Sequence, residues 1–140
     1  MGTAELRGGI LPDVAMMGIR ATLGVVFIVH GYGKFSPGFA NFMESFGAPA
    51  AMQIPIALGE VVPGVLLLIG VLTRISSGLL AIYMLGAIFL IKGAQAFSSR
   101  EGPSTEFDII LLAAALLVIV MGPGRVSLSH IVSRIPRFLH

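Results

Sequence analysis

No cysteine and no tryptophan occur in this chain of 140 residues, and only 11% of its residues are charged. Without cysteine, disulfides, thiol redox relays, thiolate zinc sites and iron–sulfur ligation are closed to it. A soluble domain carries about 25% charged residues. The formal net charge of +2 gives no electrostatic footprint for nucleic acid, so no nucleic-acid partner is expected. What is present instead is apolar: 56% of the residues are hydrophobic, and the mean hydropathy is +0.96. A short chain leaves much of its surface exposed, so one this apolar is not built for water. The composition excludes a soluble globular domain and points to one compact membrane domain over residues 1–140.

Run length carries the fold class. A spanning helix needs about 20 mostly apolar residues. Four segments come close, at roughly 14–33, 53–72, 76–97 and 106–122. They are joined by short polar stretches, which predicts an all-α integral membrane four-helix bundle. The first apolar run is read as a retained transmembrane helix, because no small-x-small cleavage site follows it. Between the first two spans, Phe39, Phe42, Met43 and Phe46 fall at helical spacing between Pro37 and Pro49, which predicts a short amphipathic interfacial helix. A second apolar stripe, Leu128, Ile131, Val132 and Ile135, predicts an amphipathic tail over residues 126–140, with His130, Arg134 and Arg137 off the stripe. Such a tail either anchors in the lipid interface or docks on a partner subunit.

Orientation follows from the basic residues. With four spans, one side carries Arg7, Arg74, Arg125, Arg134 and Arg137. The other carries Lys34, Lys92 and Arg100, diluted by Glu44, Glu101, Glu106 and Asp108. Basic residues mark the cytoplasmic face, so both termini are expected there.

Eight glycines lie inside the spans: Gly18, Gly24, Gly31, Gly59, Gly64, Gly70, Gly78 and Gly86. Each costs about 1 kcal/mol relative to alanine in a soluble helix. In lipid, small residues let backbones approach, so these positions are read as packing faces.

The ionisable residues inside the spans hold the functional information, because each is expensive in hydrocarbon, on the order of 3 kcal/mol. Arg20, Phe27, His30 and Lys34 recur near heptad spacing and mark one face of the first helix. Glu60 is the one acid deep in a span. At 1.5 Å per residue, His30, Lys34, Glu60, Lys92, Glu106 and Asp108 converge at about one depth. Tyr32, Phe35, Phe97 and Phe107 ring the same level, and Arg20 lies deeper, within reach of Glu60 if a boundary shifts by a turn. Two readings stand side by side. One is a structural ion-pair network with snorkelling lysines. The other is a polar pocket that holds a quinone headgroup or passes a proton, with His or Lys as donor and a carboxylate exchanging protons with water. No metal site and no covalently bound cofactor are expected.

The ordered set of motifs resembles a known family. Arg20-x-x-Leu-Gly-x-x-Phe-x-x-His-Gly-x-x-Lys34 is followed by Gly59-Glu60-x-x-x-Gly64-x-Leu-Leu-Leu-x-Gly70, then Glu106 before an apolar run, then Gly122-Pro-Gly-Arg-x-Ser-Leu128. This is similar to the DoxX family of small prokaryotic membrane proteins. The resemblance covers nearly the whole chain and implies a four-helix membrane bundle. It also implies kinship with membrane parts of thiosulfate:quinone oxidoreductases, companions of terminal oxidases and redox-stress complexes. It carries Arg20, His30, Lys34, Glu60 and Glu106 over as family residues. Where the family motif continues Ser-Leu-Asp, this chain has Ser127-Leu128-Ser129.

The expectation is therefore a small, plasma-membrane, accessory subunit of a redox or electron-transfer complex, not catalytic on its own, that borders a quinone site. Its expected partners are the lipid bilayer and other membrane subunits or further copies of itself. Two alternatives are an independent small-molecule or proton-coupled transporter, and a membrane subunit of a thiosulfate:quinone-type oxidoreductase. Intramembrane Arg, His and Glu favour a transport path. The lack of an inverted repeat speaks against one.

Overall fold

The computed structural model describes residues 9–91 and 105–132, together with Pro136 and Leu139. Among these residues the chain is all-helical. Helix α1 is Leu11–Gly33 and α2 is Pro37–Ser45. A 3-10 turn, Ala50–Met52, leads into α3, Gln53–Ile69. Helix α4, Thr73–Gly86, runs on into a π turn, Ala87–Ile91. Helix α5 is Glu106–Met121 and α6 is Leu128–Ile131.

Local chemistry sets the ends. Pro12 and Pro37 sit in the first turns of α1 and α2, where a missing N–H costs nothing. Helix α3 ends at Gly70, whose φ of 78° places it in the left-handed region. The Gly70 amide donates to the carbonyl of Leu67, and the Val71 amide to that of Leu66. This is the paired closure that favours glycine just past a helix end.

Helices α1, α3, α4 and α5 pack in a ring, each touching its two neighbours. Among the described residues three helical stretches are long and apolar enough to cross a membrane: Leu11–Gly33, Ala50–Ile69 and Thr73–Ile91. Helix α5 has 16 residues, about 24 Å of helix against roughly 30 Å of hydrocarbon. Residues 92–97 of the expected third span lie outside the described residues. The expected amphipathic tail is one helical turn; at Val132 the backbone is extended, and residues 133–135, 137–138 and 140 lie outside the described residues.

The dry centre is built from Leu23, Phe27, Leu67, Leu80, Leu111, Ala115 and Val118. Val29, Ile82, Ile110 and Val120 face outward, as side chains bathed in lipid do. Helices α1 and α3 meet at a reciprocal glycine contact. A Cβ on Gly24 would lie 2.6 Å from the Gly64 carbonyl oxygen, and one on Gly64 would lie 2.9 Å from that of Gly24. Gly31 meets the Ala57 carbonyl in the same way, at 3.0 Å. Gly18, Gly78 and Gly86 have open space where a Cβ would be, so they are not packing positions in this fold. Spacing along a helix marks a shared face, but not which faces meet a neighbour.

Candidate functional site

The ring of helices has a polar layer at each end, with the dry centre between. The first layer lies where α1 ends. The Lys34 ammonium donates to Glu60 Oε1 in a direct ion pair. The Lys34 side chain is 26% exposed and that of Glu60 only 4%. The second carboxylate oxygen, Glu60 Oε2, is buried and has no hydrogen-bond partner among the described residues. Gly31 makes room for this pair, since a Cβ there would lie 3.0 Å from Glu60 Cβ. The corner after α1 is held by Gln53, whose side-chain amide donates to the carbonyls of Lys34 and Ser36, both at 2.8 Å.

Two cavities meet at this pair. The inner one, about 230 Å³, lies inside the bundle and is lined by His30, Lys34, Glu60, Tyr83, Phe107 and Asp108 among others. The outer one, about 390 Å³, lies beneath α2, with Phe39, Phe42 and Phe46 on one side and Ala87, Leu90 and Ile91 of the π turn on the other. Lys34, Glu60, Tyr83 and Ala87 line both. The Phe39 and Phe42 rings stack at 5.9 Å, and those of Phe42 and Phe46 meet tilted by 51° at 4.8 Å. The Lys34 ammonium stands 5.6 Å from the Phe39 ring centre, a cation–π contact.

Of the residues expected to converge, the structure brings four onto one cavity wall: His30, Lys34, Glu60 and Asp108. His30 is exposed and stacks on Phe107 at 5.9 Å. Asp108 is buried at the start of α5. Glu106 is half-buried at the first position of α5 and lines neither cavity. Lys92 and Phe97 lie outside the described residues. Tyr32 points away, with 76% of its surface exposed. Of the expected aromatics Phe107 lines the inner cavity, and the other aromatic walls come from α2 and from Tyr83, a residue the sequence pattern did not single out. The Tyr83 hydroxyl donates to the Ile56 carbonyl at 3.4 Å, and Gly59 admits it. A signal was present: a tyrosine in mid-span, seven residues after Ser76, needs a polar partner for its hydroxyl.

Arg20 belongs to the other layer, apart from the Glu60 level; the pairing with Glu60 that a one-turn shift would allow is not made. Its side chain leans toward the start of α1, as helical side chains do. Its Nη2 donates to the Val126 carbonyl at 2.8 Å and its Nη1 to that of Pro123 at 3.2 Å. The guanidinium, 2% exposed by residue, lies against Gly70. The Ser129 amide donates to the Gly70 carbonyl at 3.1 Å. Alongside, Arg125 donates from Nε to Asp13 Oδ2 at 2.7 Å and from its amide to Asp13 Oδ1 at 3.0 Å. The loop of residues 122–127 is thereby tied to α1. Thr73, Ser76 and Ser77 are buried nearby in sequence from Gly70, at the start of α4. Among the described residues no group of three or more His, Asp or Glu is placed to hold a metal ion.

The match to known proteins spans these same elements. The sequence profile of the DoxX family fits residues 15–93, which hold α1 to α4 and the Lys34–Glu60 pair. The chain belongs to the DoxX family. It is 33% identical over 112 residues to a Bacillus subtilis protein named "Putative oxidoreductase CatD", covering 79% of this chain and 81% of that one. It is 33% identical over 132 residues to an uncharacterized membrane protein of Mycobacterium tuberculosis, covering 83% of this chain and 80% of that protein. It is 28% identical over 129 residues to the Escherichia coli inner membrane protein YqjF, covering 89% of this chain and 96% of that protein. No solved structure matches the chain. This DoxX protein is thus a membrane protein with several apolar helices that contact the bilayer.

Proposed function

We propose that this DoxX protein is an accessory membrane subunit of an oxidoreductase system, and that the Lys34–Glu60 pocket borders the site of a quinone headgroup. The observation that carries the reading is the pair itself. A buried carboxylate and a partly exposed ammonium sit where two cavities meet, walled by Phe39, Phe42 and Tyr83. Ligand pockets of this kind are mostly apolar with a few convergent polar groups. The relative named for oxidoreductase activity supports the class. The chain itself has no cysteine, so a thiol route for electrons has to come from a partner.

Passage of protons or solutes through a single copy is disfavoured by the dry centre. Leu23, Phe27, Leu67 and Leu80 are each no more than 2% exposed, and they lie between the Glu60 layer and the Arg20 layer. Proton exchange at Glu60 is accordingly with its own end of the bundle. The test is purification from the native membrane in mild detergent. The subunit reading expects an assembly that contains a second polypeptide with redox activity and reduces or oxidises a quinone. A chain that purifies alone, with no quinone-linked turnover in the membrane changed by its deletion, overturns it.

A further inference from the structure

We infer that the Lys34–Glu60 site selects a lipid-soluble aromatic ligand in its hydroxylated form, a phenol or quinol, over the corresponding carbonyl form. This rests on the reading of the pocket as a ligand site. The argument starts from Glu60, which is 3% exposed. Its Oε1 is taken by Lys34, and its Oε2 is buried without a partner. An ionised carboxylate only accepts hydrogen bonds, so the group missing at Oε2 is a donor. A buried acceptor left bare is a liability that a native fold rarely keeps unless something else supplies the donor.

Among the described residues no donor is placed on Oε2: the Lys34 ammonium is on Oε1, the Tyr83 hydroxyl gives its proton to the Ile56 carbonyl, and the His30 ring stacks on Phe107. A molecule in the cavities can supply it. The outer cavity, about 390 Å³, has room for an aromatic ring, since a cavity of roughly 150 Å³ already holds benzene. The rings of Phe39 and Phe42 offer it faces and edges, and Leu90 and Ile91 flank a tail. A ring that enters between α2 and the π turn reaches the wall formed by Lys34, Glu60 and Tyr83. There a phenolic O–H donates to the carboxylate. A quinone carbonyl cannot do this: it accepts a hydrogen bond from a free N–H of Lys34 and leaves Oε2 bare. An anionic head meets the Glu60 carboxylate and is repelled. Opening Oε2 to the cavity takes a rotation of the Glu60 side chain or of Tyr83, both of which line the shared wall.

The test uses the purified full chain in lipid nanodiscs and three probes with the same decyl tail. These are a para-hydroquinone, its para-benzoquinone and its dimethyl ether, with binding read by calorimetry under anaerobic, reducing conditions for the first. The inference expects the hydroquinone to bind about tenfold or more tighter than either of the others, the worth of one good hydrogen bond to a charged acceptor. Glu60→Gln, whose amide both donates and accepts, narrows that gap to below about threefold. Phe42→Ala weakens all three probes alike and leaves the gap intact, which covers the case of a misfolded Glu60 variant. Equal binding of the three probes to the wild-type chain overturns the inference and leaves the ligand site standing. No binding of any probe overturns the site, and the inference with it.

Discussion

Arg20 and Gly70 fit each other so closely that a Cβ at residue 70 would lie 1.9 Å from Arg20 Nη1 and 2.8 Å from its Cζ. The contact joins the middle of α1 to the end of α3, and through Arg20 to the carbonyls of Pro123 and Val126 after α5. One side chain thus ties three segments at one end of the bundle. Its acceptors are backbone carbonyls, so the cation is held by dipoles and by the shape of the glycine turn.

Gly70→Ala is therefore expected to destabilise for two separate reasons. The left-handed φ of 78° costs an L-residue about 1 kcal/mol, and the new methyl group displaces the guanidinium. Thermal unfolding in detergent should fall further than for Gly78→Ala, where a Cβ meets nothing within 4 Å. Equal melting of the two variants would show that the Arg20 contact carries no stability.

Arg20→Lys tests the fork. A lysine places one point charge where Arg20 reaches two carbonyls on different residues. The expected result is a loss of about 1–2 kcal/mol, with the loop of residues 122–127 becoming open to proteolysis. Protection unchanged from wild type would mean that Arg125 and Asp13 hold the loop by themselves.

The part of this legible in the sequence was set by what each residue needs as a partner. Glu60 could be assigned a cation on α1, because a deep acid demands one, but the stripe offered His30, Lys34 and Arg20 alike; in the structure it is Lys34. Arg20 could not be placed, because its partners are carbonyls of a loop some hundred residues away, and every residue has a carbonyl. The same holds for Tyr83, whose acceptor is the carbonyl of Ile56. Apolar run length read the last packed helix to within a residue, 106–122 against Glu106–Met121, but not that α4 gives way to a π turn at Ala87. The glycines divide likewise. Gly24 and Gly64 meet across a helix pair, whereas Gly78 and Gly86 share a face of α4 that meets nothing.

Gly59 and Tyr83 give a coupled pair. A Cβ at residue 59 would lie 1.9 Å from the Tyr83 hydroxyl oxygen. Gly59→Ala should push Tyr83 off the Ile56 carbonyl and into the shared cavity wall. With Tyr83→Phe already present, less has to move. The two changes should then be non-additive by about 0.5–1 kcal/mol in a thermal double-mutant cycle. Strict additivity would place the Tyr83 ring elsewhere than against α3.

The ion pair is separable from its two possible uses by one cycle. Lys34→Met leaves the Glu60 carboxylate buried without its cation, and Glu60→Gln leaves the ammonium without its anion. Each should cost about 3 kcal/mol, at the low end for a broken buried pair because Lys34 keeps 26% of its side chain exposed. The double variant should regain most of that if the pair serves packing alone. A pair that serves a ligand shows the same recovery of stability, yet no recovery of quinone-linked turnover in the native membrane. Full recovery of both would reduce the pair to scaffolding.

The number of crossings decides the topology. Three crossings put the two termini on opposite sides of the membrane, and four put them on one side. By length, α5 with its 16 residues falls short of the stretches Leu11–Gly33, Ala50–Ile69 and Thr73–Ile91, which have 23, 20 and 19. By position it does not. Phe107, in its first turn, stacks on His30 near the end of α1, while Arg125, just past its last turn, bonds Asp13 in the first turn of α1. Helix α5 therefore lies antiparallel along α1, and the expectation drawn from that is four crossings. The basic residues Arg74 and Arg125 share the end that should face the cytoplasm. A reporter active only in the cytoplasm, fused after His140, is expected to be active, and so is one fused before Met1. Activity at one terminus alone would show three crossings, with α5 resting against the bundle without passing through the bilayer. Activity at neither would keep four crossings and reverse the orientation drawn from charge.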